Sequence, residues 1–224
     1  MKTKAVGIGG ARFPRLSLGL AALSLVTLAL SGGCTSGLLP KPAPPPVLLA
    51  LDDAVPLTAV HGTAVPVSDT LIVDTPRAAA GFDTRNIAYT RRTHEIEYFA
   101  QHQWVDTPTA MLAPLIVRAV QRGGAFAAVV RTPSAAQGQW RLESELVRLQ
   151  QDFTTTPSQV RLTLRALLVE SATRRVRATR EFDITVPAAR DDPYGGAAAA
   201  NQALQQLLPA LVAFCAEAAR TTGP

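Results

Sequence analysis

The sequence predicts an α+β domain. A mostly antiparallel β-sheet carries two main helices on one face, and a signal peptide and proline-rich tether precede it. Three observations carry this reading. Between 139 and 186, apolar and polar residues alternate in successive runs joined by short links, as in an antiparallel meander with one face in the core. The segments 108–122 and 197–220 instead repeat apolar residues at helical spacing. Strand-rich runs broken by only two helices favour helices laid on one face of a sheet.

The N-terminus reads as a secretory signal. Lys2, Lys4, Arg12 and Arg15 form a basic region, and an uncharged apolar run follows over 16–30, too short for a comfortable membrane span. Ser31, Gly32 and Gly33 then precede Cys34, which reads as a bacterial lipobox cysteine that takes up lipid after cleavage, although Leu30 sits one position farther from the cysteine than usual. Thr35 stands where an aspartate would favour inner-membrane retention, so the outer membrane is the expected site. Acyl chains anchor at about 0.8 kcal/mol per buried methylene. The expected organisation is signal peptide 1–33, lipidated Cys34 with a proline-rich tether 34–46, and a folded domain 47–220. At about 3 Å per residue, the prolines over 40–46 favour an extended, semi-rigid spacer.

Removing the signal changes the charge balance. The whole chain carries 22 Lys+Arg against 17 Asp+Glu; without the four basic residues of the signal, 18 remain against 17. A mature net charge of +1 removes the main support for nucleic-acid binding. Only Cys34 and Cys215 are present, so no disulfide framework is expected, and Cys215 lies in an apolar helical pattern as a small buried hydrophobe.

Within the domain, 47–51 (VLLAL) reads as a short strand whose apolar continuity suggests an interior position. Thr70, Leu71, Ile72 and Val73 form the next, and 54–62 reads as loop or weak strand. Ile87 and Tyr89 share one strand face and Ile96 and Tyr98 another, with the charged break 90–93 suiting the turn between them. Thr107 can cap a helix that Pro108 opens; Met111, Leu112, Leu115, Ile116 and Ala119 fall on one face, and Gly123-Gly124 ends it. Phe126 and Val129 resume extended chain. From Trp140 the alternation is clear, with a phase shift after Leu146 that suits a bulge. Val160, Leu162, Leu164, Ala166 and Leu168 alternate with Arg161, Thr163 and Arg165. After a turn at 171–174, Val176, Ala178, Phe182, Ile184 and Val186 form a third strand. Leu204, Leu207, Leu208, Leu211, Cys215 and Ala218 make the stripe of the last helix. Pro114 and Pro209 predict bends or late starts in the two helices.

Part of this order carries a family resemblance. Ile87 and Tyr89, then EIEYF at 95–99, QWVDTP at 103–108, Met111-Leu112 and GGAFAAV at 123–129 resemble the signature of the ABC-type transport auxiliary lipoproteins. These are the PqiC-type envelope proteins that accompany MCE lipid transport systems, and the resemblance runs from about 47 to 214. It implies a non-catalytic accessory subunit of an intermembrane lipid transport system, anchored through Cys34 to the periplasmic face of the outer membrane. Its implied partners are an MCE-domain protein and ABC permease and ATPase subunits, with phospholipid and further copies of the chain as additional candidates. The rivals are a lipoprotein chaperone for outer-membrane components, using a sheet edge, and a periplasmic hydrolase.

No motif announces chemistry. His94, Glu97 and His102 match neither a strand-face nor a helical metal spacing. Ser68, Ser134, Ser144, Ser158 and Ser171 lack a nucleophile elbow, Gly123-Gly124 lacks a phosphate-loop context, and no cofactor or catalytic residue is assigned. Two features suit binding. Arg161, Arg165, Arg174, Arg175, Arg177 and Arg180 crowd the last two strands. Of these, Arg161, Arg165, Arg175 and Arg177 are candidate contacts for a partner or a lipid headgroup, against the alternative of a solvated face balanced by Glu143, Glu145 and Asp152. Trp104 and Tyr98 are candidate aromatic contacts, against core packing.

Overall fold

The structure, a computed structural model, describes residues 44–52 and 67–220, except for the side chains of Val67 and Ser68. The expected signal segment, Cys34, most of the expected tether and the 54–62 segment with His61 lie outside the described residues. The order of elements is β1 (Val47–Leu49), β2 (Val67–Val73), β3 (Arg77–Ala78), β4 (Asn86–Thr90), β5 (Glu97–Trp104), α1 (Pro108–Gly123), β6 (Phe126–Arg131), β7 (Trp140–Asp152), β8 (Gln159–Glu170), β9 (Arg175–Pro187) and α2 (Pro193–Arg220).

These nine strands form one open mixed sheet, and the 13-residue β7 is its spine. One edge of β7 pairs antiparallel with β8 along its whole length, and β8 pairs likewise with β9. The other edge is shared in turn by three short parallel strands. β2 takes Trp140 to Leu142, β3 takes Glu145 and Leu146, and β4 takes Gln150 to Asp152. β6 lies parallel outside β2, β5 antiparallel outside β4, and β1 parallel outside β5. The α+β class, the two helices and the meander are as the sequence predicts. The parallel pairings along the far edge of β7 are not announced by any local pattern.

Alternation explains why β7 can hold this place. Trp140, Leu142, Ser144 and Leu146 are buried, and the register shift between Leu146 and Arg148 then turns Leu149 and Gln151 inward. On β8, Leu162, Leu164 and Leu168 are at most 1% exposed, each contributing about 1.5–3 kcal/mol by leaving water. The helical stripes complete the core: Leu112, Leu115 and Ile116 of α1 and Leu204, Leu207, Leu208 and Leu211 of α2. Phe214 of α2 meets Phe182 of β9 edge to face at 6.1 Å.

Local chemistry sets the helix ends. The Thr107 hydroxyl accepts from the Ala110 N–H at 3.4 Å, Pro108 opens α1, and Gly124 closes it in the left-handed region at φ 63°. α2 starts at Pro193, four residues before the predicted 197, because Asp192 caps it, its Oδ1 accepting from Gly195 N–H at 2.6 Å. Both helices continue through their internal prolines, Pro114 and Pro209.

Two strand expectations are corrected. β1 is a three-residue edge strand, not an interior one: Val47 and Leu48 are half exposed, and only the end of the apolar run, Leu51, reaches the core. Val176 does not join the core face of β9. A register shift leaves Arg177 as an extra residue opposite β8, pairs Val176 with Val169 and leaves it 53% exposed.

Candidate functional site

The arginines of β8 and β9 divide into two groups. Arg165 sits in a cross-strand row, Glu145–Arg165–Glu181, and its guanidinium reaches Glu145 at 3.1 Å and Glu181 at 2.9 Å. Arg161 clasps Asp183 through Nε at 2.8 and 3.1 Å and through Nη2, while the Thr163 hydroxyl donates to the same carboxylate at 2.8 Å. These hydrogen bonds, Arg161 first, hold the Asp183 carboxyl down at about 2. Arg180 lies over the Phe214 ring at 5.3 Å and pairs with Glu217 at 3.6 Å. The counter-charges are mostly on β9 itself. Glu181 and Asp183 alternate on the wet face beside Arg161 and Arg165, a period-two signal readable from the sequence alone. Of the acids expected to balance the face, Glu145 does so, Glu143 turns to Arg77 at 3.8 Å, and Asp152 accepts from Thr154.

The second group lies at the tip of the β8–β9 hairpin. Arg174, in the left-handed region at φ 57°, makes the turn, and its N–H donates to the Glu170 carbonyl at 2.8 Å. The Glu170 carboxylate accepts from the Thr173 hydroxyl at 2.6 Å. Among the described residues, Arg174, Arg175 and Arg177 make no ion pair, and exposed Val176 stands between them.

The two aromatic candidates part company. Trp104 is 3% exposed and packed beside Ile87 in the core, so it offers no face to a partner. Tyr98 is 40% exposed and its hydroxyl donates to the Gly81 carbonyl at 3.0 Å. A half-buried cluster of Tyr89, Phe99 and Phe153 lies nearby, with Tyr89 and Phe99 ring centroids 4.3 Å apart. Arg91 stacks over Tyr89 and pairs with Glu97, and this pairing brings the Glu97 carboxyl down to about 2.

Among the described residues, no three His, Cys, Asp or Glu side chains converge as a metal site would require. Glu97 is committed to Arg91 and Tyr89, and His94 lies in the turn at φ 70°. Ser158 is held in a staple. Its hydroxyl accepts from Gln151 at 2.9 Å, its N–H donates to Asp191 at 2.8 Å, and its carbonyl accepts from Ala188 at 2.7 Å. This ties β7 to the loop before α2. A polar cleft of about 440 Å³, lined by Asp74, Thr75, Arg77, Thr132, Glu143 and Ser144, opens where β2 leaves β7 and β3 joins it. No helix among the described residues is long and apolar enough to cross a membrane.

The sequence model of the family described as ABC-type transport auxiliary lipoprotein component matches residues 50–212, from the end of β1 into α2. The chain belongs to this family. Among solved structures, this auxiliary lipoprotein is similar to protein XCC0632 from Xanthomonas campestris, at 27% identity and a TM-score of 0.71, covering 78% of this chain and 97% of that one. It shares its fold with the hypothetical protein CT253 from Chlamydia trachomatis, at 7% identity and a TM-score of 0.53, over 70% of this chain and 100% of that one. No curated protein matches the sequence significantly.

Proposed function

We propose that this auxiliary lipoprotein is a non-catalytic accessory subunit of an ABC/MCE-type intermembrane lipid transport system, held at the periplasmic face of the outer membrane through Cys34. The observation that carries the reading is the family match over residues 50–212, which spans nearly all of the folded domain. The basic, apolar and small-residue segments that converge on Cys34 support the anchor, and Thr35 after it supports the outer membrane. In this reading another subunit hydrolyses ATP. This chain contributes position: a tethered domain that docks on a partner and caps or places a lipid conduit.

Two measurements test it. Cross-linking in intact cells, followed by recovery of the chain and mass spectrometry, is expected to yield an MCE-domain protein and ABC subunits. An outer-membrane client recovered without any transporter subunit would overturn the function. Separately, Cys34→Ala is expected to abolish labelling by a fatty-acid probe, and surviving label would refute the anchor.

A further inference from the structure

We propose that the β8–β9 hairpin tip is the docking element of this chain, and that it fits an acidic face of a protein partner rather than the bilayer holding the anchor. The identity of that partner as a transporter subunit rests on the function proposed above; the hairpin assignment rests on three observations of its own.

The first is how the charge is apportioned. Arg161, Arg165 and Arg180 are each satisfied within the fold by Asp183, by Glu145 with Glu181, and by Glu217. Arg174, Arg175 and Arg177 have no such partner among the described residues. Glu170, across the strands from Arg175 and accepting from Thr173, lowers the formal charge of the tip but leaves it net positive, three arginines against one glutamate. The uncompensated positive charge of the β8–β9 pair is therefore concentrated at its tip. The second is shape. Arg174 turns the chain through a left-handed residue, and the register shift at Arg177 throws Val176 outward, leaving it 53% exposed amid the arginines. An exposed apolar residue flanked along the chain by arginines without ion-pair partners suits a protein contact, with a small desolvated centre and a charged rim.

The third is direction. The tip lies at the Trp140 end of β7, where Trp140, Glu170 and Arg175 align across three strands. The chain enters the domain toward the other end. β4 reaches Asp152 at its finish, β5 runs back from there, and Val47 opposes His102. At about 3.3 Å per residue, the entry point lies some 25 Å from the tip along the strand direction. β1 runs parallel to β5, so its first residue, Val47, lies at the end of β1 away from the tip. The tip and the start of β1 therefore stand toward opposite ends of the sheet, which leaves the tip clear of the strand where the domain begins.

The test uses the full-length chain in cells carrying its own MCE-domain and ABC subunits. A photo-reactive benzoylphenylalanine replaces Val176 or, for contrast, the exposed Tyr194. The Val176 position is expected to give an adduct with one of those subunits. Adding R174E, R175E and R177E should lower its yield about tenfold, with the melting temperature of the purified variant unchanged. Adducts only with lipid, an adduct yield indifferent to the arginines, or no adduct at 176 would each overturn the hairpin assignment. Transporter adducts at Tyr194 alone would sink the hairpin and leave the function standing. An arginine-dependent adduct at 176 with an identified acidic protein outside the transporter would do the reverse.

Discussion

Glycines 195 and 124 are required for different reasons. A Cβ on Gly195 would lie 2.2 Å from the Arg190 carbonyl oxygen and 2.9 Å from its carbon, backbone atoms held by the turn into α2. Gly195→Ala should cost about 1–3 kcal/mol by overpacking. Gly124 has open space around it, and only its φ of +63° resists a side chain, so Gly124→Ala should cost about 1 kcal/mol. Urea unfolding of both variants checks the assignment; a larger loss at 124 than at 195 would refute it. Cys215 offers a pH-dependent test. Burial pushes its thiol up to about 12, while an unfolded cysteine titrates near 8.5. Between those values the unfolded chain has lost a proton that the folded chain keeps, so the thiol's contribution to stability is full below about 8.5 and declines toward 12. The stability difference between wild type and Cys215→Ala should therefore narrow as pH rises through that window. At pH 8 the native thiol should resist a disulfide reagent that modifies it promptly in urea; equal rates in both states would contradict the burial.

At the scale of elements, what was legible followed from local physics. The ends of α1 were legible because Thr107 and Pro108 act within its first turn and Gly124 within its last. The bulge after Leu146 showed as a slip in alternation, since a two-residue period admits no other reading. α2 hid its start: Gly195 and Gly196 look like loop, and only the cap from Asp192 explains the early beginning. β1 misled because an apolar run indicates attraction to a core without saying how much of the run arrives there. The candidate site was half legible. The arginines were visible as a cluster, but their division depended on Glu181 and Asp183 sharing a face with Arg161 and Arg165, and on the shifted register at Arg177. Trp104 could be placed only once β5 was seen between β4 and β1.

For the molecule as a whole, the place of β7 determines when the rest can form. β2, β3 and β4 come early in the chain, yet each finds its partner edge on a strand that begins at Trp140. Such pairings close long loops and form slowly, whereas the β7–β9 meander closes through short turns. A chain emerging from its N-terminus therefore carries orphan strand edges until residue 152 is out, and depends in that interval on whatever shields them. A chain ending at 139 should show no cooperative thermal transition; a sharp one would mean that the early strands form a fold of their own. The later half is the template, and the earlier half waits for it.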